Sequence, residues 1–63
     1  MKNLKKIRKQ HNMTQERLAA ILGVEKSSVS KWETTDIIPD LEKLRKLVKL
    51  FNITYDDLLS DDK

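Results

Sequence analysis

The sequence predicts an all-α fold, a compact five-helix bundle, and three observations support that prediction. Apolar residues recur at spacings of three and four along most of the 63 residues, which is the period of amphipathic helices. No stretch alternates between apolar and polar residues for the length of a strand. Polar residues that favour helix ends separate the apolar segments. A chain of this length has room for one core, so residues 1–63 are predicted to form a single domain.

The first predicted helix covers about residues 3–11. Leu4, Ile7 and Arg8 share one face of it at helical spacing. Asn3 stands at the expected N-cap, because its side-chain oxygen can accept a hydrogen bond from a backbone N–H of the first turn. His11, near the other end, is expected to be a cap or a surface group.

The second helix is predicted over Gln15–Leu22, with Thr14 as its N-cap. Its apolar face consists of Leu18, Ile21 and Leu22. The only glycine, Gly23, follows at the position where a helix commonly ends in the left-handed region. A short third helix over about residues 26–33 resumes after this turn.

The fourth helix is predicted over Leu41–Phe51. Pro39 cannot continue a helix, so residues 34–40 are expected to form a loop, and Asp40 is the expected N-cap. The apolar stripe of this helix consists of Leu41, Leu44, Leu47, Val48 and Phe51.

The last helix is predicted over Tyr55–Leu59. Asn52 suits a left-handed end to the preceding helix. Thr54 and Asp57 have the spacing of a capping box that opens the last helix. Residues 61–63 are expected to be a frayed tail.

Residues on both sides of Gly23 meet the requirements of a helix-turn-helix unit. Two helices joined by a short turn cross closely only where a small side chain faces the second helix, and Ala19 provides one. Gly23 provides the left-handed residue at the bend. Apolar residues line both inner faces, namely Leu18, Leu22, Val24, Val29 and Trp32. The predicted scaffold of the unit is therefore Ala19, Gly23, Val29 and Trp32.

The third helix is predicted to present a polar outer face. On a wheel of about 100° per residue, Ser27 and Lys31 point directly away from the apolar side, and Lys26 can reach forward from the first turn. Short hydroxyl groups let a helix approach a groove closely, and lysines reach phosphates or guanine edges. Such a helix would enter the major groove of DNA by its amino-terminal end. The alternative is an ordinary solvated helix, on which serine and lysine are also common.

The charge is distributed unevenly along the chain. Residues 1–31 carry eight Lys or Arg against two acidic residues, and residues 32–63 carry five against eight. The net charges are therefore +6 and −3. A basic half beside an acidic half favours a surface for a polyanion, and the alternative is a solvated surface of uneven charge.

At these residues the chain resembles the lambda-repressor-like family of helix-turn-helix proteins, the Cro and phage-repressor (XRE) type. The segments "TQERLAAILGV" and "SSVSKWE" follow the core pattern of that family. "PDLEKL" is similar to the start of its fourth helix, and "FNITYDDLL" to its closing helix. The resemblance covers nearly the whole chain.

The resemblance implies roles for individual residues. The positions of Lys26, Ser27 and Lys31 are those that read DNA bases in the family. Those of Gln15, Ser28 and Thr34 contact DNA phosphates, and Gln15 also orients residues of the recognition helix. Arg8 and Glu33 occupy positions where family members form a buried ion pair.

Three departures from the family pattern stand around the third helix. Glu25 replaces the usual Ser or Thr cap, and its carboxylate would face the polyanion. Thr35 stands where the family often has glycine, so either it holds a left-handed geometry or the loop differs. Residues 36–38, "DII", fill a loop that is often basic, so fewer phosphate contacts are expected from it.

The last helix is expected to contribute to a homodimer, because the family commonly dimerises through this region. Tyr55 and Leu58 would then be partly exposed on the single subunit. The alternative is that both side chains complete the core. A two-fold dimer would present its recognition helices about 34 Å apart, which predicts a pseudo-palindromic DNA target.

Other functions find little support. With no cysteine and one histidine, no disulfide or metal site is expected, and no cofactor or small-molecule ligand is indicated. No nucleophile–base pair or phosphate-binding glycine loop is present, so the chain is not expected to be an enzyme. A membrane span needs about 18 consecutive apolar residues, and no apolar run in the sequence approaches that length. The amino-terminal lysines lack the apolar stretch of a signal peptide. A cytoplasmic protein of bacterial or phage origin, associated with the nucleoid, is expected.

Two further features have a second interpretation. Trp32 could stack on a base, but its place in the pattern favours the core. Residues 41–52 form a basic amphipathic helix that could lie on a membrane, but their apolar stripe is what a small bundle needs for its core.

The sequence thus predicts a sequence-specific binder of double-stranded DNA, a transcriptional regulator that acts as a repressor by occupying its operator. The alternative is a protein-interaction module with the same fold, such as an antitoxin or a co-regulator.

Overall fold

The computed structural model describes residues 1–60, apart from the side chain of Lys2, and this part of the chain folds into five helices. They are α1 (Lys2–Gln10), α2 (Gln15–Leu22), α3 (Lys26–Thr34), α4 (Leu41–Phe51) and α5 (Tyr55–Leu59). The all-α prediction is confirmed, and α2, α4 and α5 have the predicted bounds. The predicted frayed tail, residues 61–63, lies outside the described residues.

The amino-terminal helix begins earlier than the sequence predicts. The N-cap of α1 is Met1, which makes no side-chain capping bond, so the prediction of Asn3 as N-cap is wrong. Asn3 lies inside the helix, and its amide nitrogen donates to the backbone carbonyl of Asp57. The reason is tertiary, since this amide bonds to a neighbouring element in place of its own backbone.

Four predicted helix ends are confirmed by their hydrogen bonds or dihedral angles. The Thr14 hydroxyl accepts a hydrogen bond from the Arg17 backbone N–H at 3.0 Å. The Asp40 carboxylate accepts one from the Lys43 N–H at 3.0 Å. Gly23 ends α2 at φ 72°, and Asn52 ends α4 at φ 55°, both in the left-handed region.

The predicted capping box at the start of α5 is present. The Thr54 hydroxyl accepts a hydrogen bond from the Asp57 N–H at 3.0 Å, and the Asp57 carboxylate accepts one from the Thr54 N–H at 3.4 Å. Each side chain therefore satisfies a backbone donor that a helix start would leave without a partner. This local bonding lets five residues hold a helical conformation.

The core is one apolar cluster to which all five helices contribute. α2 packs against α3, α1 packs against α3 and α5, and α4 packs against α5. The buried apolar side chains are Met1, Leu4, Ile7, Leu18, Ala19, Leu22, Val29, Trp32, Leu44, Leu47, Phe51 and Leu58. The two buried charged residues are Arg8 and Glu33.

Two residues of the predicted apolar faces are exposed. Ile21 is 43% exposed and Leu41 is 61% exposed. Leu41 is the first residue of α4 and follows a loop whose Ile37 and Ile38 are also exposed, so no neighbouring element covers it. Within residues 1–60, no helix is long and apolar enough to span a membrane.

Candidate nucleic-acid interface

The turn between α2 and α3 depends on a backbone conformation that glycine adopts without strain. Gly23 has φ 72°, and the N–H of Val24 donates to the Ala19 carbonyl at 2.9 Å. A Cβ added at Gly23 would meet no atom within 4 Å, so the dihedral angle, not crowding, is what favours glycine. Ala19 is buried, as expected of a small residue where two helices approach closely.

Helix α3 has an apolar inner side and a polar outer side. Val29 is fully buried and Trp32 is 6% exposed, so Trp32 is a core residue and not a stacking platform on the surface. Ser27 and Lys31 are exposed on the opposite side, and Lys26 is exposed in the first turn. These three side chains are therefore accessible to a ligand that approaches the outer side of α3.

The amino-terminal end of α3 has no side-chain cap. Glu25 is the N-cap by its extended backbone (φ −84°, ψ 154°), but its carboxylate makes no capping hydrogen bond. Ser28 is half-buried, and its N–H donates to the Glu25 carbonyl at 3.0 Å. Local capping therefore contributes little to α3, which needs other support.

A buried ion pair joins α1 to α3. The Nε of Arg8 lies 2.8 Å from Oε2 of Glu33, and its Nη2 lies 3.3 Å from Oε1. The two side chains are 8% and 1% exposed. The third nitrogen, Nη1, donates to the Met13 carbonyl at 2.7 Å. Arg8 thus connects α1, the turn before α2 and the inner side of α3.

Gln15, the first residue of α2, bonds to the same carboxylate. Its Nε2 donates to Oε1 of Glu33 at 2.9 Å, and the residue is half-buried. The Glu33 carboxylate therefore accepts hydrogen bonds from side chains of two other helices, α1 and α2. The spacing of residues along the chain does not predict this bond between two side chains, because the bond depends on how α2 and α3 cross.

The carboxyl-terminal end of α3 extends one residue beyond the prediction, to Thr34. Thr34 is exposed, and its hydroxyl donates to the Ser30 carbonyl at 2.8 Å. Thr35 has φ −128° and ψ 180°, so the left-handed geometry considered for it is wrong and the loop differs. Its hydroxyl accepts a hydrogen bond from the Ile37 N–H at 3.1 Å, which suits an extended backbone.

The residues predicted for a dimer interface are divided between surface and core. Tyr55 is 41% exposed, whereas Leu58 is fully buried in the single chain, so the expected partial exposure of Leu58 is wrong. Leu59 is 40% exposed instead. In a helix of five residues only one of two consecutive leucines can face the core, and α5 directs Leu58 inward against α1 and α4.

The described part of the chain does not bring together the side chains of a metal site. Residues 1–60 contain no group of three His, Cys, Asp or Glu side chains that could hold a metal ion. His11 is exposed at the end of α1, and its ring centroid lies 4.8 Å from that of Phe51. This contact gives the histidine a packing role at the surface.

The comparisons with known proteins agree with this geometry. Residues 4–58 match the family model described as helix-turn-helix. The chain belongs to the XRE-type helix-turn-helix family. A solved structure of this fold, a transcriptional regulator from Listeria innocua, is similar with a TM-score of 0.85 and 28% identity. That similarity covers 97% of this chain and 57% of the other.

Two curated relatives are named for different functions, one as a transcriptional activator and one as an antitoxin. The HTH-type transcriptional activator BcrR of Enterococcus faecalis is 40% identical over 60 residues, which are 95% of this chain and 29% of the relative. Antitoxin PezA of Streptococcus pneumoniae is 34% identical over 62 residues, which are 98% of this chain and 39% of that protein. The chain thus spans well under half the length of both.

Proposed function

We propose that this helix-turn-helix chain is a sequence-specific DNA-binding transcriptional regulator that reads the major groove with α3. The observation that carries the proposal is the exposed outer side of α3, where Ser27 and Lys31 lie opposite the buried Val29 and Trp32. A helix with a buried apolar inner side, and with short polar side chains such as serine on its outer side, can enter a groove about 12 Å wide. The similar transcriptional regulators support this function.

The proposed contacts divide into base readers and phosphate binders. Lys26, Ser27 and Lys31 would contact base edges, since all three are exposed on the outer side or first turn of α3. Contacts with DNA phosphates would come from Gln15, Ser28 and Thr34. Gln15 and Ser28 are half-buried, and Thr34 is exposed, so each retains some accessible surface for a phosphate.

A homodimer on a pseudo-palindromic operator is part of the proposal. The exposed apolar surface of α5, Tyr55 and Leu59, supports a contact between two copies in place of the predicted Leu58. Two recognition helices related by a two-fold axis would lie about 34 Å apart, one turn of DNA. Repression is proposed, because a bound dimer excludes polymerase without needing any further surface of this chain. The site of action would be cytoplasmic DNA.

Selection from random duplexes tests the main proposal. The purified chain is expected to enrich one pseudo-palindromic site, and footprinting of that site should protect two half-sites one helical turn apart. The affinity should fall steeply as the salt concentration rises, because phosphate contacts release counterions. Recovery of random sequence at low salt would contradict the proposal.

A protein-interaction module is the second candidate, and two observations favour it. Ile37 and Ile38, in the loop before α4, are 55% and 51% exposed. Leu41, the first residue of α4, is 61% exposed. One relative carries the name antitoxin. An apolar protein interface would hold its affinity as salt rises, whereas binding through phosphates would not, so a salt titration distinguishes the two candidates.

A further inference from the structure

Glu33 lies at the centre of a hydrogen-bond network that reaches the proposed DNA surface. Its carboxylate is almost completely buried, at 1% side-chain exposure, and accepts bonds from Arg8 on one side and Gln15 on the other. Within the described residues, no buried side-chain nitrogen or oxygen lacks a hydrogen-bond partner. The network is therefore complete before any ligand binds.

The chemistry of the carboxylate determines how the Gln15 amide is oriented. An ionised carboxylate can only accept hydrogen bonds, so the amide must turn its nitrogen, not its oxygen, toward Glu33. The Nε2 group has two hydrogens, and one is used at 2.9 Å to Oε1 of Glu33. Within the described residues the amide oxygen has no hydrogen-bond partner and is not buried, and Gln15 as a whole is half-buried. The second hydrogen is therefore available for a ligand.

Arg8 determines the position of the carboxylate in turn. Its Nε and Nη2 hold both oxygens of Glu33, and its Nη1 is held by the Met13 carbonyl at 2.7 Å. A guanidinium that bonds through three nitrogens has little freedom to rotate. The position of the Gln15 amide is thereby set by residues on α1 and α3, neither of which faces the proposed DNA surface.

We propose that Glu33, held by Arg8, is the positioning residue for Gln15 and directs the second N–H of the Gln15 amide outward to a DNA phosphate. This inference rests on the proposed function, and it adds a role for Glu33 beyond stabilising the fold. A pre-oriented donor loses less rotamer freedom when DNA binds, so its hydrogen bond contributes more to affinity than that of a mobile glutamine.

A double-mutant cycle on the selected duplex tests the proposal. Glu33→Gln keeps the shape of the side chain but can present either an oxygen or a nitrogen to Gln15, so the amide loses its fixed orientation. Glu33→Gln is expected to lower the affinity about two- to tenfold when Gln15 is present, which is the usual worth of one hydrogen bond. In the Gln15→Ala background, Glu33→Gln should have no further effect. An equal loss in both backgrounds would overturn the proposal, because it would show that Glu33 acts through stability alone.

Two controls make the cycle specific. Glu16→Gln removes the same negative charge from an exposed residue next to Gln15 and should not weaken binding in either background. All affinities are measured at a temperature where circular dichroism shows each variant to be folded. If the unmodified chain enriches no duplex at all, the proposed function fails and this inference fails with it. Binding without coupling between Gln15 and Glu33 overturns this inference only.

A measurement on the unmodified chain covers the case in which Glu33→Gln does not fold. The chain has two glutamines, and Gln10 is exposed while Gln15 is half-buried. In ¹⁵N relaxation of the side-chain amides, Gln15 is expected to be rigid and Gln10 mobile. Equal mobility of the two amides would overturn the proposal.

Discussion

Helix α3 and the helices α4 and α5 are held in place by different interactions. α4 and α5 begin with side chains that bond to their own backbone, Asp40 in one and the Thr54–Asp57 box in the other. α3 begins with Glu25, which makes no such bond. It depends on contacts with other helices, through Val29, Trp32 and Glu33.

The difference lies in where the support of each helix is found. A capping side chain stabilises a helix from its amino-terminal end. On α3 that end, where DNA is proposed to approach, carries the exposed Glu25 carboxylate without a capping bond, and the support comes from the buried inner side. On α4 and α5 the exposed ends themselves are stabilised, by Asp40 and by Thr54 with Asp57.

The largest expected effect comes from breaking the buried ion pair that supports α3. Glu33→Ala leaves the buried Arg8 guanidinium without its carboxylate and should lower the free energy of unfolding by about 3–5 kcal/mol. Urea denaturation followed by circular dichroism measures this change. The control is Glu42→Ala, which removes an exposed ion pair to Lys43 (3.2 Å) and should change the stability by at most about 0.5 kcal/mol. Equal effects of the two substitutions would contradict the assigned role of the buried pair.

The next effect sharpens the comparison within α5. Leu58→Ala should cost about 2–5 kcal/mol, because it opens a cavity where a fully buried side chain was removed. Leu59→Ala, one residue on, should cost only about 0.5 kcal/mol in a monomer, since this side chain is 40% exposed. Thermal denaturation of both variants checks the pair. A larger loss for Leu59→Ala would reverse the assignment of inner and outer leucine.

The outer side of α3 should affect binding without affecting stability. Lys31→Ala is expected to weaken binding to the selected duplex by about 1–3 kcal/mol if it reads a base, and to leave the unfolding free energy unchanged. Lys49→Ala removes an equal charge from an exposed residue of α4 and should weaken binding much less. Titration against the selected and a scrambled duplex measures both. An equal loss of affinity on the two duplexes would make Lys31 a phosphate contact.

The smallest expected effect compares the two kinds of helix start directly. Asp40→Ala removes a capping bond of 3.0 Å and should cost about 1 kcal/mol. Glu25→Ala removes no capping bond and should change the stability by at most about 0.5 kcal/mol. Chemical denaturation of the two variants is the measurement. If Glu25→Ala proved as costly as Asp40→Ala, α3 would depend on its cap after all.

Local features of the chain were predictable because their physics is local. Thr14, Asp40 and the Thr54–Asp57 box bond to backbone groups three residues away, so the sequence determines them without knowledge of the fold. The left-handed helix ends at Gly23 and Asn52 are predictable because glycine and asparagine adopt positive φ more readily than other residues. The inner and outer sides of α3 follow from helical spacing, and Ser27 and Lys31 are exposed as predicted.

Other features depended on how the helices meet. Asn3 has the chemistry of a cap but bonds to Asp57 across the bundle, and Leu41 has the spacing of a core residue but no element covers it. Which of Leu58 and Leu59 faces inward depended on the angle at which α5 packs. The bond from Gln15 to Glu33 likewise required α2 and α3 to cross at one particular distance.

The sequence by itself determined five helices, where most of them begin and end, and which side of α3 is polar, because those properties depend on spacing and on bonds within one turn. Only the tertiary structure decided which exposed positions stay uncovered and that Gln15 joins the ion pair of Arg8 and Glu33, a pair that the family resemblance already implied. Contacts between elements depend on packing angles and distances, and these arise from the whole core at once.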